Sequence, residues 1–575
     1  MSEVDQSTVA AGTIVAGAAI VGPTVKGPVL VPTKITSYSQ YVSIFGTTFE
    51  GCDSGSQDTA VQQEFMTSLA AKSYFEQGGE TLLVVRAAHS EAFGAAKSTD
   101  IKASGSDAKV PFEIYTIGEG ELYNSNGTAS ADYKAGNNGI LANGTSNNFR
   151  FEIGNVNEDA GTFTLVIRRG DDDDNNKIIL ETFNNLSLDP YSNNYIAAVI
   201  GDQYSVYDNT ADNPVIVPHG EYVNKSSNIR VNVLVNTPNY TAADKGKLPQ
   251  VQQGAFWNGK GTVGVPYSGS EGSGSYADVA YFGNITTDTA YPQSVLPEDY
   301  GKGIALLSNA DEYDINVVSA PGLTMDSEKS KGVIDQLVSV CQDRGDCIAV
   351  VDTVCYSGKL TDATSGAASV DSSYAATYWP WLQVQASTGR LVWVPASVVI
   401  PGVYAYNDNH TAPWYAPAGM NRGGISAIQA ARKLTKSDRD KLYLKNINPI
   451  ATLPGTGLVI YGQKTLQKRS SALDRVNVRR LMIEVKKKVK DMAAGLLFEQ
   501  NSTALQNNFR SKLDPYLASI VQRNGLYDYA ISLDGNTSEA IDRNEFHCSI
   551  SLQPTKTVEF VYINFTITAT GVEFA

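Results

Sequence analysis

The spacing of apolar residues changes character twice along this 575-residue chain, and those changes point to several cores rather than one. The first ninety residues read as an α/β unit. Gly12 to Val21 is a small-residue apolar strand candidate stopped by Gly22-Pro23, and Gly27-Pro28 adds a second turn. Ser37 is placed to cap a short helix carrying Tyr41 and Phe45, with Gly46 as its stop. Val61, Phe65 and Leu69 lie at four-residue spacing before Gly78-Gly79, which predicts a longer helix, and Thr81 to Arg86 reads as a buried strand. From about 100 to 235 short alternating strands, such as Phe149–Ile153 and Thr162–Arg168, lie between Asn, Gly and Asp turns and predict an antiparallel sandwich. Asp171 to Asp174 falls where a solvated hairpin tip is expected, since the spacing and closing Glu of a calcium loop are missing. Residues 238–300 are rich in Gly, Ser, Tyr and Thr and read as a surface insert. Order returns at Gly303: Ile315–Ser319, a helix over Gly332–Gln342 and Cys347–Asp352 alternate as in a parallel α/β sheet.

Charge is distributed unevenly. The whole chain carries −15, yet residues 421–525 hold 20 Lys and Arg against 7 Asp and Glu. A basic block in an acidic protein fits an acidic partner or a solvated helical face. Within it, Val478, Met482, Val485, Val489, Met492 and Leu496 make one apolar stripe on a helix from about Asn477 to Phe498. Arg475, Arg479, Lys486 and Lys490 lie beside that stripe, with Arg480 and Lys487 next to them. The chain then ends in two alternating runs separated by Pro554: Phe546, Cys548, Ile550 and Leu552 on one face, then Val561, Ile563, Phe565 and Ile567, with Phe560 and Tyr562 opposite. Five cysteines without paired spacing suit a reducing compartment, and the early apolar run Thr13–Val21 is shorter than the ~20 residues of a membrane span.

Catalytic motifs fail one by one. Gly254 to Gly261 comes within one residue of a phosphate loop, but Gly261 stands where a hydroxyl must hold Mg²⁺, and the flanks lack the strand and helix. There is no Gly-x-Ser-x-Gly elbow, and His89, His219, His410 and His547 show no metal-ligand spacing. Cys341, Cys347 and Cys355 sit near a core strand, where a small buried hydrophobe is expected. Neither a cofactor nor a metal is expected, and aromatics are too sparse in the basic block for nucleic-acid binding.

Several stretches stand in a recognisable order. They include Gly17-Ala-Ala-Ile-Val-Gly-Pro23, Tyr41-Val-Ser-Ile-Phe-Gly46, Tyr74-Phe-Glu-Gln-Gly-Gly79 and Glu181-Thr-Phe-Asn-Asn-Leu-Ser-Leu-Asp-Pro190. Later come Trp379-Pro-Trp381, Pro413-Trp-Tyr-Ala-Pro417, Asn446-Ile-Asn-Pro-Ile450, Val476-Asn-Val-Arg-Arg-Leu481 and Phe498-Glu499. Taken together they resemble the contractile tail sheath family of phages. The resemblance implies a multi-domain α/β and β protein: a subtilisin-like α/β core lacking a triad, an outer antiparallel β-sandwich, and a C-terminal polymerisation domain of helices and strands. The expected division is an N-terminal arm over 1–20, the first part of the core over 21–95, the sandwich over 96–235 and the insert over 236–302. The subtilisin-like domain follows over 303–445, and the polymerisation and tube-contact domain over 446–575.

The function so implied is structural, not enzymatic. Subunits would stack as helical hexameric rings around an inner tail tube and contract to drive it through the host envelope. The partners would be further copies, the tail tube protein, and baseplate and tail terminator proteins, with no nucleic acid and no membrane insertion. The place would be the tail of a virion assembled in the host cytoplasm. The sheath of a headless injection particle (a tailocin or a secretion apparatus) is the near alternative, and a degenerate hydrolase-like enzyme the distant one. On this resemblance Arg475, Arg479, Arg480, Lys486, Lys487 and Lys490 are candidate tube contacts, against the reading that they form a merely solvated face. Phe560, Val561, Tyr562, Ile563, Phe565 and Ile567 are candidates for a strand shared between subunits.

Overall fold

The computed structural model describes residues 13–52, 60–88, 110–118, 149–157, 161–170, 175–210, 214–234, 260–263, 279–293 and 295–559, with the single positions 95, 98, 101 and 172. Eight strands form its central sheet. Their order is Thr33–Ile35, Leu82–Arg86, Ile14–Gly22, Tyr313–Thr324, Ile348–Asp352, Ala375–Trp379, Asn448–Leu453 and Gly457–Ile460. The outermost pairing at each end is antiparallel, and all those between are parallel. Ile14–Gly22 lies against Tyr313–Thr324 in the register Ile14↔Tyr313 to Ile20↔Ser319, so the first ninety residues and the stretch from 313 share one sheet.

The sequence explains why the sheet lies inside. Every residue of Leu82–Arg86 and of Ile348–Asp352 is buried, as continuous apolar runs covered by helices on both faces require. Helices Met66–Glu76 and Ile400–His410 cover one face, through Leu69, Tyr74, Val403 and Tyr404. Pro297–Leu306 and Glu328–Arg344 cover the other, through Ile304, Ile334 and Leu337. The short helix Tyr38–Phe45 starts where Ser37 Oγ accepts from Gln40 N at 3.2 Å and ends at Gly46, whose φ of +71° suits glycine.

Two local readings change. Val61 belongs to the strand Ala60–Glu64, paired with Thr48–Cys52, and the helix begins only at Met66. Its four-residue spacing from Phe65 is therefore accidental. Order also returns before Gly303, because Pro297 opens a helix whose first turn carries Glu298 and Asp299.

A second core belongs to strands of the middle region. Lys260–Val263, Phe149–Asn157, Thr162–Arg169 and Ile179–Ser187 form an antiparallel sheet in that order, and Phe112–Thr116 pairs with Ile229–Val233. Phe112, Ile114, Phe151, Phe163, Ile229 and Val231 fill the space they share. One strand of the expected surface insert, Lys260–Val263, is thus an edge of this sheet.

Of the Asp-rich turn, Asp171, Asp173 and Asp174 lie outside the described residues, and Asp172 is not solvated. Arg150 and Arg168 lie directly opposite each other on neighbouring strands, an arrangement that like charges disfavour. Asp172, fully buried, answers both. It accepts from Arg168 Nε at 2.7 Å and Nη2 at 2.9 Å, and sits 3.6 Å from Arg150. Glu152 adds an ion pair to Arg168, and Lys177 one to Glu152.

The third unit packs helices Val476–Ala494 and Thr503–Gln522 against the hairpin Leu526–Ser532/Ser549–Pro554. Leu481, Val485, Phe509, Leu513, Leu517 and Ile520 make its core, and Phe546, Cys548, Ile550 and Leu552 close it from the hairpin, on the one face that their alternation predicted. Trp414 and Tyr415, from the Pro413–Pro417 stretch, reach across from the central unit. Trp414 Nε1 and Tyr415 Oη both donate to Arg523 O, at 3.2 and 3.0 Å.

Candidate assembly site

In an open parallel sheet a ligand crevice lies outside the carboxyl ends of the strands, where chain order reverses. Here that point is between Ile14–Gly22 and Tyr313–Thr324, and side chains fill it. A Cβ on Gly22 would come within 2.4 Å of Thr67 Oγ1, and Gln293 Nε2 closes over Pro321 O at 2.9 Å. Farther along the same edge, Asp352 accepts from Ser397 N at 3.1 Å and from Ser397 Oγ, all of it buried. Burial pushes the Asp352 carboxyl up to about 7, and the Ser397 bonds only partly offset that.

The described histidines lie elsewhere. His219 stacks on Tyr204, His410 Nδ1 lies 3.0 Å from Tyr406 O, and His547 pairs with Glu545. Among the described residues no group of three His, Cys, Asp or Glu side chains is placed to hold a metal ion. Cys341 and Cys347 are buried free thiols 3.4 Å apart. At the opposite end of the sheet a cleft of about 190 Å³ lies between Gly17, Tyr74, Asp314 and Asp408, smaller than the ~300–1,000 Å³ of a typical ligand site.

The basic helix is the remaining feature, and it departs from the one-sided reading. Val476 and Ile483 enter the core of the central sheet, while Leu481 and Val485 face the C-terminal helix. Its first half is therefore buried on two sides, and the cations there turn inward. Arg479 is 5% exposed, donates to Ser373 Oγ, and stacks 4.0 Å from the centre of the Tyr374 ring. Burial holds its guanidinium below the usual arginine range. Arg480 is 4% exposed, pairs with Asp408 and lies 4.6 Å over the Tyr404 ring. Burial opposes its charge, but Asp408, Tyr404 and Tyr378 outweigh that and leave its pKa raised.

The other four candidates divide in two. Lys487 is tied to the start of a central strand, donating to Asp314 Oδ1 and Asn316 Oδ1 at 2.5 Å and to Ile315 O at 2.8 Å. Arg475 binds Glu559. Only Lys486, donating to Tyr374 Oη at 3.1 Å, and Lys490, in an open pair with Asp311, remain exposed. The expectation that the candidate cations lie beside the stripe on a face open to a tube or to solvent is thus corrected for Arg479 and Arg480, because a helix enclosed on both sides turns them inward. The strand candidates Phe560, Val561, Tyr562, Ile563, Phe565 and Ile567 lie outside the described residues.

Two family models match, consecutively. The phage tail sheath protein central domain covers residues 298–466, from the helix Pro297–Leu306 through the last strand of the central sheet. The phage tail sheath C-terminal domain covers 468–568, which takes in the basic helix, the helix Thr503–Gln522 and the hairpin. Residues 298–568 thus match the central and C-terminal domains of phage tail sheath proteins. The sheath protein of Vibrio phage KVP40 is 34% identical over 308 residues, 48% of this chain and 46% of that one. The sheath protein of Enterobacteria phage T4 is 38% identical over 185 residues, 32% of this chain and 28% of that one. The chain therefore spans less than half the length of either relative. Among solved structures, the sheath tail protein of Listeria innocua superposes with a TM-score of 0.49 at 9% identity, over 95% of this chain and 96% of that one. The sheath complex of an extracellular contractile injection system in its contracted state gives 0.41 at 24% identity, over 49% and 78%.

Proposed function

We propose that this chain is the subunit of a contractile tail sheath, stacking as helical hexameric rings around an inner tail tube and driving that tube through the host envelope. Both sheath domains matching in order is the observation that carries the reading. The central sheet is read as a subtilisin-like scaffold without its triad, and the middle region as an outward decoration. The role is mechanical, with further copies, the tube, baseplate and terminator proteins as partners, and assembly in the host cytoplasm.

Contraction that draws on no nucleotide requires energy stored at assembly, so contacts of the contracted lattice must exceed those of the extended one. A difference of ~1–3 kcal/mol per subunit suffices, since a long array sums it. Among the described residues the C-terminal hairpin is a two-stranded sheet, which gives it an edge that a neighbour's strand could extend. Backbone bonds at a net ~1 kcal/mol each would hold that link while larger faces repack. Purified protein should form hollow tubes or ring stacks without nucleotide, in electron micrographs of negatively stained samples. A strictly monomeric species at all concentrations and salts refutes the reading.

A further inference from the structure

Glu559, five residues past the end of the C-terminal hairpin strand Ser549–Pro554, is held by side chains of the central unit and the basic helix. The chain leaves the hairpin at Thr555, whose Oγ donates to Asn524 O at 2.8 Å. Lys556, Thr557 and Val558 then stand out in solvent, Val558 with 83% of its surface exposed. Glu559 turns back in. Arg475 Nε meets its Oε1 at 2.6 Å and Nη2 its Oε2 at 2.9 Å, a bidentate fork. Gln463 Nε2 donates to Oε1 at 3.2 Å and also to Thr557 Oγ. Lys464 Nζ rests 4.5 Å over the Tyr443 ring beside them.

The cage is assembled from separate elements and is stiff. Tyr443 comes from the helix Lys436–Leu444, Gln463 and Lys464 follow the last strand of the central sheet, and Arg475 sits at the start of the basic helix. A strand bridge joins Lys464 to Arg475, and Asp474 holds Arg475 from behind at 2.8 Å. Burial and the Glu559 hydrogen bond raise the Tyr443 hydroxyl pKa, so it stays a donor, and the Arg475 bond keeps the Glu559 carboxyl below its ordinary value despite burial. Three exposed residues followed by a captured carboxylate make little sense as core packing, because the segment between buries almost nothing. What the fork fixes is position and heading, since a guanidinium grips a carboxylate in one plane. The alternating apolar run from Phe560 begins at the very next residue.

We propose that Arg475 and Gln463, with Tyr443 and Lys464 packed beside them, form a carboxylate-binding site whose ligand is the chain's own Glu559, and that this site fixes the origin and direction of the C-terminal strand that a subunit gives to its neighbour. The inference rests on the sheath reading. Without the clamp the strand would start from the hairpin at Thr555 and approach its partner over a wider cone of directions, so productive pairing would be rarer.

The test compares wild type, Glu559→Gln, Arg475→Met and the double variant Arg475→Met/Glu559→Gln. Tube assembly is followed by sedimentation and electron microscopy, and subunit integrity by circular dichroism and the melting midpoint. The single variants should keep the wild-type spectrum and midpoint while the critical concentration for tubes rises about tenfold, and the double variant should be no worse than either single one, because both remove the same link. Wild-type tubes with unaffected single variants, or a double variant whose losses simply add, overturn this inference alone. Single variants whose melting falls in step with assembly overturn it too, since the pair would then be a staple of the fold. Wild-type protein that never makes tubes overturns the sheath reading and this inference with it.

Discussion

Arg480 separates a structural cation from a docking one most sharply. Replacing it with Met keeps much of the stem's volume and removes the charge that faces Asp408, along with the guanidinium over Tyr404. Breaking a buried pair by removing one partner costs ~3–5 kcal/mol, mostly because the other charge is left stranded. The Asp408 side chain keeps 23% of its surface exposed, so water relieves part of that, and about 2–3 kcal/mol remains. Removing both charges, as in Arg480→Met/Asp408→Asn, should return most of the loss, because no unpaired charge is then left behind.

Urea unfolding followed by tryptophan fluorescence is the suitable assay. Trp379, Trp381 and Trp414 are buried in the units that the helix joins, and Trp393 packs against the same core. In a multi-domain chain the midpoint of that local transition, at unchanged slope, is the safe quantity. Lys490→Ala is the comparison, since both partners of its ion pair lie open to water and such pairs contribute little. If Arg480→Met moves the midpoint no more than Lys490→Ala does, the arginine is not structural and the two-sided burial of the helix is wrong.

Three further outcomes follow from other parts of the molecule. Asp172→Ala leaves Arg150 and Arg168 facing each other without their shared anion, so the middle sheet should lose about 3–5 kcal/mol and become sensitive to limited proteolysis while the core tryptophan transition stays put. Asp352 has a folded pKa near 7 against an ordinary 3.8, so the native state holds its proton longer than the unfolded one. Stability should therefore fall as pH rises from about 4 to about 7, by at most about 4 kcal/mol, and Asp352→Asn should flatten that slope in denaturation midpoints taken across the range. Reversing Lys486 and Lys490 together should weaken assembly on an acidic tube, and more so at low salt, with melting unchanged; indifference of co-sedimentation to the change would show that these lysines are only solvated.

Local chemistry carried the sequence reading where it worked. Ser37 and Gly46 marked both ends of their helix because a cap hydroxyl and a positive φ are local demands. The buried runs Leu82–Arg86 and Ile348–Asp352 were legible because a strand covered on both faces has no polar face to alternate with. The reading failed where a distant partner decides. Nothing near Asp172 says that it is buried. The signal lay in the strands, where Arg150 and Arg168 pair across a ladder whose register the sequence does not print. The same holds for Val61, whose strand exists only because Thr48–Cys52 lies beside it.

The basic helix teaches the finer lesson, because its two kinds of cation do different things and the sequence did distinguish them. Its first turns carry Arg475, Arg479 and Arg480, and the cations of its second half, Lys486, Lys487, Lys488 and Lys490, are all lysines. Arginine is planar and weakly hydrated, so it tolerates burial when a ring or a carboxylate lies against it, and Tyr374, Tyr404, Asp408 and Glu559 supply those faces. Lysine holds its water more tightly, and three of the four stay exposed, with Lys487 paired on a strand end as the exception. Counting charges treats both kinds alike and so overstates the cations free to meet a partner. Sorted by type, the excess of positive charge becomes two devices: an arginine half that locks the C-terminal unit and its tail onto the central sheet, and a lysine half that is left to face whatever lies outside.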